Sequence, residues 1–543
     1  MPDNLYVPDD IEERRASYAV LHLGKDDLVP SDFPFLRWNR QNGIYEQSWL
    51  WFIGQPLEDV VDSALDDEGY PALQYPLQIN AMRTFARKHA SVLIGEAPDT
   101  SDALVRAECT PIQMPDADEI TPEQEKNSRR CERFINLVWE ESKGRAIQAE
   151  NALTTQYLGG SVFKCYYWPD PETISKIRID SILPDFFLPV WDGTDYWDLM
   201  EAYIVYRIPG SVAKEKYGVD AKSNWAIYCE HWTRKTVSIW VDNQPVTVKL
   251  GETSFTYDEL EHGYGFVPFV YIPRERTGGF YGQGFFPDVE GLTREHNARM
   301  ADIGDAIRDT VHPDRFLSNM GTQNLRSRTL ENGRKYYDLG VSPPGSNKEP
   351  KAYREDPPNL SQPLINFTET LWLQMQRMAG VSNIVFGEDE GSQRSALTLA
   401  FRMWPTTSQA RTTRHYWTIG LNLLAKMVLR IAAQKKLFGI TNKNRIGVRI
   451  AQNWPPMIPR DREQRVNEVV LLYSAKVISL LNAIERLGDV KDPVGEVDRV
   501  WEDTERMLKL QEKYGQKPGD AGDQGGPQTD TNDPVAQAIT GDG

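Results

Sequence analysis

Four cysteines in 543 residues, Cys109, Cys131, Cys165 and Cys229, stand apart with no CxxC spacing. That excludes a disulfide framework and a thiolate zinc site, and suits reduced thiols in a cytoplasm. No apolar run reaches the ~18 residues of a membrane span, because Lys426 and Arg430 interrupt the closest candidate. The first residues are acidic where a secretory signal would be basic and then apolar, so standard export is not expected. Basic charge is also scarce: 61 Lys and Arg face 78 Asp and Glu, a formal net charge of −17. A protein that coats nucleic acid needs a basic surface to neutralise phosphates, so that role is disfavoured. One that lets DNA slide past without gripping it is not.

The signatures of common enzyme classes are missing too. There is no GxxxxGK[ST] phosphate loop, HExxH zinc pair, GxSxG nucleophile elbow or EF-hand loop. The seven histidines (His22, His89, His231, His262, His296, His312 and His415) show no metal-ligand spacing and read as core or surface residues rather than catalytic bases. The stretch GGFYGQGFF has GxG at Gly282 and Gly284 but lacks a third glycine, and Phe285-Phe286-Pro287 makes a poor phosphate cradle. The tryptophans, Trp232, Trp240 and Trp372 among them, sit in strand-like or helical apolar contexts that favour core packing over ligand stacking. Carboxylates are numerous enough to build a glycosidase pair or a metal-dependent phosphodiesterase cluster, which keeps an enzyme as the alternative reading. The densest group, Glu388-Asp389-Glu390, lies in a glycine-flanked loop without the rigid support a catalytic carboxylate needs. No cofactor or metal is expected.

What is present is length for two to four domains, with 40% hydrophobic residues. Residues 1–75 have no long period and read as an irregular arm with small helices. Ile79, Met82, Phe85, Ala86, Ala90 and Leu93 line one face of a helix stopped by Gly95 and Pro98. Thr121 as N-cap, Pro122 at the first helical position and Gln124 three residues on form a capping-box pattern. Residues 161–275 change texture, with β-branched and aromatic runs such as SVFKCYYW and NWAIYCEHW divided by Pro, Gly and Asp, and predict a largely antiparallel sheet region. Helical spacing returns at Val289 to Val311, and again at Leu364 to Met378, bracketing a polar insert. Ser395 to Lys436 reads as one very long helix carrying Pro405 inside it. Two readings stay open there: a turn at Pro405-Thr406-Thr407-Ser408 between two helices, or one kinked rod. From Gly391 to Arg460 no Asp or Glu occurs against twelve Lys and Arg, a basic segment suited to acidic neighbours in an assembly. A strand in NRIGVRIAQNWPP, three terminal helices with Ser479 as an N-cap, and a polar tail from residue 516 expected to be disordered complete the chain.

This order of elements resembles the portal proteins of tailed double-stranded DNA phages, of the siphovirus type, over roughly residues 75–515. HGYGFVPFVYIP is similar to the family's strand leading into the central domain, and GQGFFPDVEGLTREHNARMADIGDAI to its first stem helix, with His296 where a Leu often precedes Asn297. MAGVSNIVFGEDEGSQRSALTLAFRM resembles the passage through the tunnel loop, and IAQNWPPMIPRDREQRVNEVVLLYSAKVISLLNAIERLGDVKDPVGEVDRVWEDTE the terminal domain, with Asp492, Pro493 and Glu496 in a D-P-x-x-E pattern. The resemblance implies an α+β subunit. Its parts would be an arm (1–75), a wing (76–285), stem helices (286–312 and 362–380) around a clip (313–361), a tunnel loop (384–396), a kinked tunnel helix (397–437), a wing strand and loop (438–459), a crown (460–515) and a disordered tail (516–543).

It further implies a dodecameric ring, without catalytic activity of its own, at a unique capsid vertex of the virion, assembled in the host cytoplasm. Double-stranded DNA would be packaged through it by the terminase large subunit and later ejected. The other partners implied are the major capsid and scaffolding proteins and the head–tail adaptor, with no membrane. Residues implied to face DNA are Phe386, Gly387, Glu388, Asp389, Glu390, Gly391, Ser392, Gln393 and Arg394. Pro405 would kink the helix, and Asn324, Arg326, Arg328, Asn332 and Arg334 would meet terminase and adaptor.

Overall fold

The computed structural model describes residues 35–54, 79–95, 105–113, 120–221, 224–250, 253–311, 315–318, 326–329, 335–338, 351–354, 362–387, 396–457, 462–487, 490 and 493–514. It divides into two compact units after Met457.

The first unit opens with a helix the sequence reading missed. α1 (Phe35–Ile53) is 19 residues long, not a set of small helices in an arm, and buries Tyr45, Trp49 and Trp51. Its stripe is broken by Asn, Gln and Arg, and Ile44 faces solvent, which hid the period. α2 (Ala81–Ile94) starts at Asn80, whose Oδ1 accepts from Arg83 N. After β1 (Arg106–Pro111), α3 (Pro122–Glu141) carries the capping box read from Thr121 and Gln124, with both reciprocal bonds present. α4 (Gly144–Leu158) leads into the sheets.

Strands β2 (Gly160–Tyr167), β3 (Ile177–Ile182), β4 (Phe187–Trp191) and β5 (Leu199–Pro209) precede a short helix, α5 (Gly210–Tyr217). Then come β6 (Trp225–Thr233), β7 (Thr236–Val241), β8 (Gln244–Pro245), β9 (Thr247–Leu250), β10 (Thr253–Thr256), β11 (Leu260–Glu261) and β12 (Phe269–Pro273). One sheet runs β11-β7-β6-β5-β4 with β8 on β7, another β12-β2-β3, and every pairing is antiparallel as the alternating runs predicted. Their buried sides share one core, in which Trp232 and Phe163 are fully buried.

The glycine-rich stretch after β12 is a packing device. A Cβ on Gly282 would stand 2.2 Å from the Gly159 carbonyl, and one on Gly284 2.7 Å from that of Tyr157, so backbone lies on backbone where no side chain fits. A long helix, α6 (Phe286–Val311), follows; four short strands, β13 (Arg315–Ser318), β14 (Arg326–Thr329), β15 (Lys335–Asp338) and β16 (Lys351–Arg354), nest as β14–β15 inside β13–β16; and α7 (Gln362–Ala379) returns alongside α6. Thr293 Oγ1 meets Met375 Sδ at 3.4 Å in that helix pair.

The long basic segment is α8 (Ala396–Arg402) and α9 (Trp404–Gln434), divided at Met403. Of the two readings, the turn at residues 405–408 falls away, since all four residues are helical. Pro405 sits in the first turn of α9, where its missing N–H leaves no bond unmade, and ending α8 short of it spares the Phe401 carbonyl a clash with its ring. Trp417, Leu421, Leu424 and Val428 of α9 enter the core under β12, and Gly420 lets Ile272 approach to where a Cβ would stand 2.4 Å away. After a short α10 (Asn442–Ile446), β17 (Val448–Asn453) pairs with β1, so distant parts of the chain close one body.

The second unit contains α11 (Arg462–Ser474), α12 (Leu480–Leu487) and α13 (Pro493–Tyr514). Ser479 caps α12 as expected, its Oγ accepting from Asn482 N at 3.3 Å.

Candidate functional site

The residues singled out from the sequence distribute unevenly. Phe386 and Gly387 are described; Glu388, Asp389, Glu390, Gly391, Ser392, Gln393 and Arg394 lie outside the described residues, as do Asn324, Asn332 and Arg334. Arg326 and Arg328 fall on β14, in register with Asp338 and Tyr336.

The root of the acidic loop is built with care. α7 ends in a Schellman motif: Gly380 takes φ 68°, its N–H reaches Arg377 O at 3.1 Å, and Val381 N reaches Gln376 O at 2.8 Å. Ser382 N then donates to Thr406 Oγ1 at 3.0 Å, tying the loop's start to the first turn of α9. A short turn, Asn383–Phe386, puts the Phe386 ring 6.1 Å from Phe85 and 6.3 Å from Trp372, with the Lys88 ammonium 5.7 Å over its face. Gly387, at φ 80°, lets the chain leave. Nine positions later α8 begins, and Phe401 within it and Trp404 just past it are exposed at 69% and 54%, with the Arg411 guanidinium 5.0 Å over Trp404.

Beneath the root lies a buried polar joint. His89 Nε2–H donates to Ala379 O at 2.7 Å, and burial, with the Arg274 charge second, pushes its pKa down to about 4, so the ring is neutral at pH 7. Arg274 is itself buried; its Nε donates to Gln156 Oε1 at 3.2 Å and its Nη2 to Gln409 Oε1 at 3.4 Å. His89 of α2 thus holds the last carbonyl of α7, and Arg274 beside it ties α4 to α9 through two glutamines.

Two arginines of the basic segment direct their guanidinium groups to backbone carbonyls. Arg414 Nε donates to Leu93 O at 2.8 Å and Nη2 to Val92 O at 3.3 Å, satisfying the C-terminal carbonyls of α2. Burial holds its pKa down to about 10. Arg430 Nη2 reaches Gly265 O at 3.4 Å.

A second charged constellation escaped sequence reasoning. Lys164 on β2 pairs with Glu230 on β6, both buried, joining the two sheets. The ammonium lies 5.0 Å from the Tyr166 and Trp232 ring centres, and Glu230 also accepts from Tyr228 Oη at 3.3 Å. The hint was one lone charge in each of two apolar strands. Closed in by aromatic rings, the pair acts as a register lock between the sheets. Burial raises the Cys165 thiol pKa to about 12 and that of Cys131 to about 11, so neither is a nucleophile at neutral pH. Among the described residues no three of His, Cys, Asp or Glu gather as metal ligands, and no helix is long and apolar enough to cross a membrane.

A sheet-rich body, a two-helix hairpin around a small strand insert, a loop rooted between that hairpin and a long divided helix, and a separate helical unit together make a subunit of the portal class. The family of phage portal proteins described as SPP1 Gp6-like matches residues 59–516 of 543, and the chain belongs to it. Its function is that of a phage portal, a virion component that serves DNA packaging at the capsid vertex, and the family is structural rather than catalytic. No curated protein matches the chain.

Proposed function

We propose that twelve copies close into a ring around the DNA path, with α6 and α7 as the stem, β13–β16 and their connections as the clip, the body as the wing and α11–α13 as the crown. The terminase large subunit docks on the clip during packaging, and the head–tail adaptor replaces it there. Capsid and scaffolding proteins hold the outer rim, and assembly takes place in the host cytoplasm. Residues 386–394 line the bore, where Glu388, Asp389 and Glu390 repel phosphates so that DNA slides.

One observation beyond the family carries the ring: the second unit leaves Trp501, Met507, Leu508 and Leu471 exposed at 57–68%. Apolar faces of that size mark association surfaces, and a repeated face closes most simply on copies of itself. Native mass spectrometry with end-on electron microscopy tests it. Particles of about 740 kDa, twelve copies of 62.0 kDa, with a central hole are expected; a chain that stays monomeric with its scaffold present overturns the reading. For the clip, Arg326→Glu with Arg328→Glu should abolish terminase docking while leaving rings intact, and normal packaging by that variant would sink the assignment.

A further inference from the structure

Helix α3 gathers like charge along one face. Lys126, Arg129, Arg130 and Arg133 recur at three- and four-residue steps, exposed except for the half-buried Arg130. Together with Phe134 and Phe438 they line a groove of about 560 Å³ in which Glu125 is the one carboxylate. Among the described residues none of the four cations has a hydrogen-bonding or ion-pair partner. Like charges three and four apart on a helix repel.

The opposite wall is a strained turn. Lys436 and Phe438 take φ 55° and 51°, in the left-handed region that residues other than glycine rarely adopt. The turn holds the Phe438 ring 5.4 Å from Phe134 while leaving that residue 49% exposed. An apolar floor under a cationic rim fits an acidic segment with an apolar stripe.

Residues 55–78 contain one. Six acids fall between Glu58 and Glu68 with no Lys or Arg in the whole stretch, and Leu57, Val61 and Leu65 repeat at four-residue steps. Its own copy is badly placed to deliver it. Asn80 Nδ2 donates to Phe52 O at 3.0 Å, so the two described ends that flank this stretch meet at one point, beside the start of α9. Phe438 lies past the far end of that helix, whose 31 residues rise about 45 Å. A closed excursion of 24 residues reaches no more than ~43 Å even with both limbs fully extended.

We propose that residues 57–68 of a second copy lie in this groove, an inter-subunit clasp that rests on the ring reading above. The test uses the full-length chain carrying Ser63→Cys with Glu125→Cys; the four native cysteines are buried and do not compete. In particles whose mass has first been measured, a short bismaleimide should link subunits into a ladder on a denaturing gel, which neither single variant gives. Arg129→Glu with Arg133→Glu should cut that linkage about tenfold, and adding Asp62→Arg with Asp66→Arg should restore it. Intact rings without linkage, linkage within one chain only, or linkage indifferent to charge reversal would each overturn the clasp. So would a short DNA duplex that binds the groove and is lost on reversal while linkage persists. A chain without rings overturns the ring reading itself, and the mass measurement separates that failure from the others.

Discussion

The two units differ in how they treat most of their large apolar side chains. In the body, Trp232 and Trp417 are wholly buried, Phe163 meets Trp139 and Trp417 edge-on at 5.9 and 5.8 Å, and both large sheets share one extended core with α2, α3 and α9. In the unit after Met457, Trp501 is 66% exposed, Leu471 68% and Val477 67%, along helices too few to cover one another. The first holds what a chain needs to fold alone. The second keeps its large apolar side chains exposed, which is what the proposed ring would cover.

The contrast can be broken most strongly in the body. Trp417→Ala should cost about 3–5 kcal/mol through lost burial and the cavity left behind, read as an earlier urea transition by circular dichroism; an unmoved midpoint would mean the core is not shared. Lys164→Met, which strands Glu230, should cost about 3–4 kcal/mol, while Lys164→Met with Glu230→Leu should recover most of it, because an apolar pair of similar volume replaces two desolvated charges. No recovery would make the pair more than a sheet lock.

His89 gives a pH-resolved test. Its folded pKa of about 4 lies below the ordinary 6.5, so its contribution is complete above pH 6.5. As the pH falls the unfolded chain takes up the proton first, and stability drops by up to about 3 kcal/mol by pH 4. His89→Gln should flatten that part of a stability–pH curve. The smallest effect on folding belongs to the second unit: Trp501→Ser with Leu508→Ser should shift unfolding of dissociated subunits by only ~0.5 kcal/mol. The same variant should lower the yield of assembled particles by mass, and undiminished assembly would show that these faces have no partner in the ring.

Legibility followed the range of the interactions. The Thr121 capping box, the Ser479 cap, the alternating strands of 161–275 and the helices around 289–311 and 364–378 were readable because each depends on residues a few positions apart. Helix α1 was not, because its buried residues acquire a face only from the α2 and α4 helices they meet. The division of the long helix was expected near Pro405 and falls at Met403, since proline penalises the turn before it rather than its own position. Of the candidate site, the glycine and aromatic residues that root the loop were visible in sequence, but their grip on Phe85, Trp372 and Thr406 was not.

The sequence by itself determined the class of subunit, through periodicity, punctuation and order of elements, and through an acidic charge compatible with sliding DNA. Only the tertiary structure decided that β1 closes on β17, that Lys164 meets Glu230 across two sheets, and that a cationic groove opens beside a strained Phe438. Those contacts join residues far apart in the chain, chosen by which surfaces bury each other best, and no local pattern encodes that choice.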